Sequence, residues 1–461
     1  MGITLFDDQL DLRERVRASM RRNKCVLIHA TTGFGKTVLA ADMIARALER
    51  NRKALFVVPR KQLLWQTAEK FSQFDIDFGY ITSGKKPRES RVQMATLGSI
   101  VTRLNTFTPD VVFIDEGHYS FEQTLTVARH YLALGSWVVY LTATPKPGMD
   151  AVVQDVIAGE SVAWMIKNKR LSSYRAFSPA SPDLSMIDRV AGEYHQGQLA
   201  DKMEHENRVL VGSMVKHWRE LSPDYMTLAY ATSIKHAEMM AHEFRENGIA
   251  SAAISGRTPD KELIDTIRAF ARREIKILTN CDMATFGFDL SAASGMDVNV
   301  EAMIDGAPTL SIIKQTQKNG RVLRYKETPS IIADHAGNII NRDGTRNHGL
   351  PCDDREWSIV KNAKAGQATR ATPVKQCPKC YGNHAPAPQC VYCGHVYMVE
   401  GRVIRQEDGT LVEVHKSEIV VKPEFNEAQM AHIRLLQAQY IHRGMHPAHA
   451  MNAAKKKVRL L

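Results

Sequence analysis

The 461-residue sequence contains no apolar run near the ~18–20 residues that a membrane-spanning helix needs. Residues 1–12 carry acids instead of the basic-then-apolar pattern of a secretion signal. These two absences argue against a helical membrane protein and predict a chain that stays in the cytoplasm, where stable disulfides are not expected. Aromatics are sparse at 7%, yet 44% hydrophobic and 24% charged residues make a globular balance that excludes wholesale disorder. Acid is scarcest late in the chain. Residues 428–461 hold no Asp or Glu, while Arg434, Arg443, Lys455, Lys456, Lys457 and Arg459 supply six positive charges. Over the whole sequence 61 Lys+Arg against 50 Asp+Glu leave +11, a surplus that fits a polyanionic partner such as nucleic acid.

What is present is rhythm. CVLIHA (25–30), ALFVVP (54–59), VQMAT (92–96), VVFID (111–115) and WVVYLTA (137–143) alternate with helical patterns at 37–50 and 61–74. Strand and helix in alternation predict a parallel, doubly wound sheet. The rhythm fades over 146–205, around SPASPD (178–183), and returns with MTLAYAT (226–232), IKILTN (275–280), AMIDGA (302–307) and SIIADHA (330–336). The expected fold class is therefore α/β: two tandem doubly wound domains at 1–165 and 206–345, separated by a linker or accessory segment at 166–205. A loop-rich connector (346–375), a small cysteine module (376–398) and a basic helical tail (399–461) come after them.

ATTGFGKT (30–37) follows a strand and opens a helix, the setting of a phosphate-binding loop. Within it Thr32, Gly33, Phe34 and Gly35 bring the backbone to the phosphates, and Lys36 reaches the β- and γ-phosphates. The Thr37 hydroxyl is placed to ligate Mg²⁺. DEGH (115–118) ends the apolar strand VVFID. Asp115 can hold Mg²⁺ through water, and Glu116 can orient and deprotonate an attacking water. His118 is expected to couple this strand end to Thr142 and Thr144 of LTATP (141–145). DEGH alone would be an ordinary acidic strand-end loop, and the phosphate loop alone supports only nucleotide binding; a domain-sized interval between them predicts ATP hydrolysis. In the second half QKNGRVLR (317–324) offers Gln317, Arg321 and Arg324. The two arginines, three apart, are expected on one helical face, delivering charge to the γ-phosphate worth ~10³–10⁵ in rate.

CPKC (377–380) and CVYCG (390–394) form CxxC-x9-CxxC. Cys377, Cys380, Cys390 and Cys393 are the expected ligands of a structural Zn²⁺ with no open position for catalysis. Such a ribbon would dock on DNA or on a protein. The acid-free tail with Tyr440 and Arg443 fits either phosphate contacts or a solvated basic end.

In this order the motifs resemble those of superfamily 2 helicases of the DEAD/DEAH type across residues 1–340. The RadD (YejH)-like family and its phage-encoded relatives match best, through YATSIKHAE (230–238), ISGRTP (254–259), GFD (287–289), GRVLR (320–324), DHAGN (334–338) and the zinc ribbon. The resemblance implies two RecA-like domains. It also gives Gln9 of LFDDQ (5–9) as the adenine-reading amide with Phe6 stacking beside it, and Gly287 and Asp289 as nucleotide sensors. Arg60, Thr96, Ser233 and Thr279 become grips on a nucleic-acid backbone. Gly117 departs from the family's Ala or Cys, and Phe286 from its Thr or Glu. The activity this resemblance implies is that of an ATP-dependent DNA helicase or branch-remodelling translocase. Its setting would be repair, recombination or replication, on single-stranded, forked or branched DNA. A single-strand-binding or recombination protein is the candidate partner, and host cytoplasm the location for a phage-encoded chain. An RNA helicase and the motor subunit of a restriction-type complex stay open as alternatives. A decayed binding module fits less well, because Lys36, Glu116 and Arg324 are all retained.

Overall fold

The unbroken apolar runs become strands buried on both sides. The computed structural model describes residues 4–179, 182–205, 207–281, 290–343, 345–361, 366–370, 373–397, 427–442 and 454. It divides into two units, Met1–Tyr397 and Met398–Leu461. The first sheet holds β1 (Cys25–His29), β2 (Ala54–Val58), β3 (Gly79–Ile81), β4 (Val92–Thr96), β5 (Val111–Asp115), β6 (Trp137–Thr142) and β7 (Asp155–Ala158). Their order is β3-β4-β2-β5-β6-β1-β7, with every neighbouring pair parallel. Alternate residues serve opposite faces: Val26, Ile28, Phe56 and Val58 enter one apolar cluster, while Cys25, Leu27, Leu55 and Val57 enter another. Covering both faces is what removes the polar alternation from these strands.

The strand order matters for chemistry. β6 lies between β5 and β1, so DEGH, LTATP and the phosphate loop leave adjacent strands at the same, carboxyl edge, where open α/β sheets place their ligands.

A second sheet repeats the design with β8 (Tyr174–Phe177), β11 (Thr227–Tyr230), β12 (Ser251–Ile254), β13 (Ile277–Asn280), β14 (Ala302–Asp305) and β15 (Ser330–Asp334). A small hairpin, β9 (Arg189–Val190) with β10 (Glu193–Tyr194), stands apart, as does the ribbon of β16 (Asp354–Glu356) and β17 (Gln367–Arg370). β18 (Lys375–Gln376) and β19 (Gly382–His384) complete the second sheet, in the order β12-β13-β11-β14-β15-β8-β19-β18. β8 comes from the stretch expected to be linker. Its sequence, YRAF, is too short and polar to announce a strand, and backbone pairing with β15 on one side and β19 on the other places it. The cysteine module is thereby annealed to the second sheet.

In the second unit Ile433 and Leu436 of the helix Glu427–His442 form a small apolar cluster with Ala454. Arg443, Lys455, Lys456, Lys457 and Arg459 lie outside the described residues. Among the described residues no helix is long and apolar enough to cross a membrane.

Candidate active site between the two sheets

Two glycines shape the phosphate loop. Gly33 (φ +87°) and Gly35 (φ +92°) adopt left-handed backbone that only glycine enters without cost. A Cβ on Gly33 would lie 2.8 Å from Leu171 Cδ2, and one on Gly35 would lie 2.5 Å from Gln9 Nε2. Gly35 caps the helix Lys36–Glu49, whose amides open into the cleft. Lys36 is buried, and its Nζ donates to the carbonyls of Ala30 (3.0 Å) and Thr31 (3.2 Å). Burial pulls its pKa down, opposed by Glu116 and Asp115. Phe34 turns its ring into the core, while its carbonyl accepts from Gln9 Nε2 at 2.7 Å. Gln9 Oε1 accepts from the Phe6 amide at 3.0 Å, so this side chain ties the N-terminal segment to the loop.

At the end of β5, burial pushes the Asp115 carboxyl up to about 7, with Glu116 adding and Lys36 opposing. Glu116 sits in left-handed backbone (φ 48°), an uncommon state for a non-glycine residue, and its amide donates to Asp115 Oδ1 at 2.9 Å. The glycine that departs from the family pattern has a local cause. A Cβ on Gly117 would stand 2.3 Å from the ring of Tyr140, whose hydroxyl is held by the Thr124 carbonyl at 3.0 Å. His118 Nδ1 lies 2.9 Å from Thr142 Oγ1 and 3.3 Å from Thr144 Oγ1, joining DEGH to LTATP as expected from their adjacent strands.

From the other side comes the helix Ile312–Val322, capped by Ser311. Its Gln317 and Arg321, together with Arg324, line a cavity of about 560 Å³ with Gln9, residues 32–37, Asp115 and Glu116. Arg321 stands close enough to Lys36 to depress its pKa further. The two arginines do not share a helical face. The helix stops at Val322, whose carbonyl is taken by Ser330 Oγ (2.8 Å) and Lys326 Nζ (2.6 Å). Arg324 therefore lies beyond it, in a bridge with Leu171. A Cβ on Gly320 would fall 2.3 Å from Thr32 Cγ2, so the two halves touch backbone to loop. The helix itself is pinned by Lys318, which pairs with buried Asp305 at 2.8 Å and donates to the Ala307 carbonyl at 2.7 Å.

Arg170 was invisible in the sequence, inside an irregular stretch with no motif. Its guanidinium lies 3.6 Å from the centre of the Phe6 ring, pairs with Asp8 and donates to the Phe34 carbonyl at 3.3 Å. Gln66, Lys70 and Tyr325 also line the cavity without any sequence signal.

Family models match the two halves separately. One described as "Type III restriction enzyme, res subunit" covers residues 2–147, and one described as "Helicase conserved C-terminal domain" covers residues 208–326. The chain carries the paired domains of a superfamily 2 helicase. Such domains imply a nucleic-acid-dependent ATPase. A "51.5 kDa protein" of a Lactococcus phage (isolate 7-9) is 27% identical over 81% of this chain and 78% of its own length. The "Putative ATP-dependent helicase IRC3" of Saccharomyces cerevisiae is 24% identical over 69% of this chain, but the match spans only 49% of that protein. Among solved structures, the "ATP-dependent Type ISP restriction-modification enzyme LlaBIII bound to DNA" shares the fold with a TM-score of 0.53 at 15% identity. That likeness covers 72% of this chain and 28% of the larger one.

The residues expected to grip a nucleic acid fare unevenly in these helicase domains. Arg60 is exposed and donates to the Tyr119 hydroxyl at 3.3 Å. Ser233 caps its helix, accepting from the His236 amide at 2.9 Å, and donates to Glu204 at 2.6 Å. Thr96 and Thr279 are buried. Both face inward: Thr96 bonds Thr82 (3.2 Å) and Ser99 (2.9 Å), and Thr279 donates to the Ala237 carbonyl at 2.7 Å. Thr96 ends β4 and Thr279 is the last but one residue of β13, both buried. Gly287 and Asp289 lie outside the described residues.

The four module cysteines come together. Cys377 and Cys393 sulfurs are 3.7 Å apart, Cys380 and Cys390 sulfurs 3.6 Å, and all four lie within 4.8 Å of one another. Four sulfurs at ~2.3 Å around one zinc ion would be ~3.8 Å apart. The donor set fits that metal. His384 is not among the four; its Nε2 meets the Tyr397 hydroxyl at 2.7 Å.

Proposed function

We propose that this chain is an ATP-driven DNA helicase or branch-remodelling translocase of the RadD-like kind, acting in repair, recombination or replication. The observation that carries the reading is one cavity lined from both sides, by the phosphate loop and DEGH of the first domain and by Gln317, Arg321 and Arg324 of the second. In this reading Lys36 and the loop amides hold the β- and γ-phosphates, and Gln9 exchanges the Phe34 carbonyl for the adenine edge. Thr37 and Asp115 would hold Mg²⁺, which supplies charge neutralisation to the phosphates. Glu116 orients and deprotonates the attacking water, while Arg321 and Arg324 meet the γ-phosphate as the cleft closes. His118 passes the state of that site to Thr142 and Thr144. Arg60 and Ser233 stay as candidate backbone contacts.

DNA rather than RNA is supported by the motif order and by the cysteine module, in which Cys377, Cys380, Cys390 and Cys393 would hold a structural zinc that braces an edge of the second sheet. The deciding measurement is ATPase rate against single-stranded, duplex, forked, junction and RNA ligands. Forked or junction DNA should stimulate most, and stimulation by RNA alone would remove the DNA reading. Elemental analysis should find one zinc per chain, and finding none would remove the ribbon. A second reading, the motor subunit of a restriction-type complex, is supported by the model that matches residues 2–147. It predicts co-purification with a nuclease subunit. The likeness to a phage protein supports host cytoplasm as the working location.

A further inference from the structure

The segment after the second helicase domain returns to the first. The family match ends at residue 326, but residues 354–361 cross back and dock on the loop that leaves LTATP. The Ile359 carbonyl accepts from the Gly148 amide at 2.6 Å and from the Asp150 amide at 3.3 Å. The Lys361 amide donates to Asp150 Oδ2 at 3.4 Å. The half-buried Ile359 side chain packs against the first domain's own apolar cluster, the one that holds Leu27, Val57 and Tyr140.

Two residues earlier, the Trp357 ring stands edge-on to His29 with centroids 6.1 Å apart. His29 ends β1, directly before the phosphate loop. Trp357 also walls a cavity of about 460 Å³ with Thr31 and Thr32 on one side and Asn319 and Gly320 on the other. Gly366 reaches the arginine helix as well. Gly366 is so tight against its first residue that a Cβ would lie 2.8 Å from Ile312 Cγ2 and 3.3 Å from the Trp357 ring. Trp357, Ile359, Lys361 and Gly366 thus touch the strand end that enters the phosphate loop, the loop leaving LTATP, and the start of the helix that carries Gln317 and Arg321.

We propose that residues 354–361, together with Gly366, form a clasp that sets how the cleft closes, with Trp357 and Ile359 as positioning residues for ATP turnover. A tether of this kind raises the effective concentration of the second domain's arginines at the phosphate loop. It also couples the LTATP loop to the connector leaving the arginine-bearing domain. Neither Trp357 nor Ile359 lines the cavity that holds Lys36, Asp115 and the two arginines, so the clasp acts on turnover and leaves binding to the first domain. The proposal rests on the reading of the cleft as an ATPase site.

The test uses the full-length chain and three readouts: hydrogen exchange at the Gly148 and Asp150 amides, affinity for a fluorescent ADP analogue, and nucleic-acid-stimulated kcat. Ile359→Asp places a charge in the apolar slot. It should expose both amides and lower kcat about 10- to 100-fold, the cost of misplacing reacting groups by roughly 1 Å. ADP affinity should stay unchanged, and Ile359→Leu should restore the rate. Exposed amides with an unchanged kcat would reduce the clasp to packing and overturn the proposal. Amides still protected in Ile359→Asp would overturn it too, because Ile359 would then anchor nothing. Trp357→Leu, which removes the His29 contact, gives the same ordering of readouts if Ile359→Asp does not fold. Should the wild-type chain hydrolyse no ATP, the ATPase reading fails, while the exchange pattern still reports whether the clasp is closed.

Discussion

The two walls of the cleft are built on different principles. The first-domain wall is fixed by backbone: left-handed Gly33, Gly35 and Glu116, a helix N-terminus, and three motif loops leaving adjacent strands. The second-domain wall is one helix end and the residues just past it, held by the buried Lys318–Asp305 pair and by side chains on the Val322 carbonyl. A cradle of amides exists wherever the first domain is folded. Positive charge arriving on another domain exists at the site only when the two domains meet, as Gly320 meets Thr32. Binding should therefore belong to the first wall and turnover to the contact between them.

The sharpest break of that contrast pairs two substitutions. Arg321→Ala should lower nucleic-acid-stimulated kcat by ~10³ or more, within the range known for such arginines, and leave affinity for an ADP analogue unchanged. Lys36→Ala should lose both turnover and affinity. If Arg321→Ala weakens binding as much as Lys36→Ala does, the division of labour is wrong. Arg324→Ala in the same assays ranks the two arginines, which their positions on and beyond the helix do not.

Stability separates the walls next. Lys318 and Asp305 are almost wholly buried, with side chains 4% and 0% exposed. Lys318→Met strands an uncompensated carboxylate, at a cost of about 3–5 kcal/mol in chemical denaturation. Adding Asp305→Asn should recover part of that loss. ADP affinity at the first domain should hold in both variants while the protein stays folded. A loss of affinity in step with stability would mean that the phosphate cradle depends on the second domain after all.

How much of this was legible depends on where each residue's constraint lies. The phosphate loop, DEGH, LTATP and the cysteine pairs announce themselves because local chain geometry dictates their residue types: glycine for left-handed backbone, small spacing for two thiolates on one ion. β8 and the clasp are set by what they pair with across the chain. YRAF carries no apolar run, and Trp357 and Ile359 sit in a stretch whose composition says only loop. Thr96 and Thr279 are hard to read in sequence for a related reason. A threonine at or near a strand end can point either way, and only the packed sheet shows that both hydroxyls have interior partners. Arg170 depends on three groups distant from it in sequence, Asp8, Phe6 and Phe34, so no local pattern marks it.

The smallest expected effect tests how rigid the first wall is. Gly117 is required by the Tyr140 ring, which stands 2.3 Å from where a Cβ would be. Gly117→Ala must therefore push a buried aromatic or tilt DEGH, an overpacking cost of about 1–3 kcal/mol. In a Tyr140→Leu background the same alanine should cost less, and a double-mutant cycle in thermal or chemical unfolding measures the coupling directly. Because His118 comes directly after Gly117 and holds Thr142 at 2.9 Å, a tilted DEGH should also lower stimulated kcat more than basal kcat. Additive stability effects would place the strain elsewhere. An unaltered stimulation ratio would show that the coupling residues tolerate movement, and the first wall would then be less fixed than its backbone suggests.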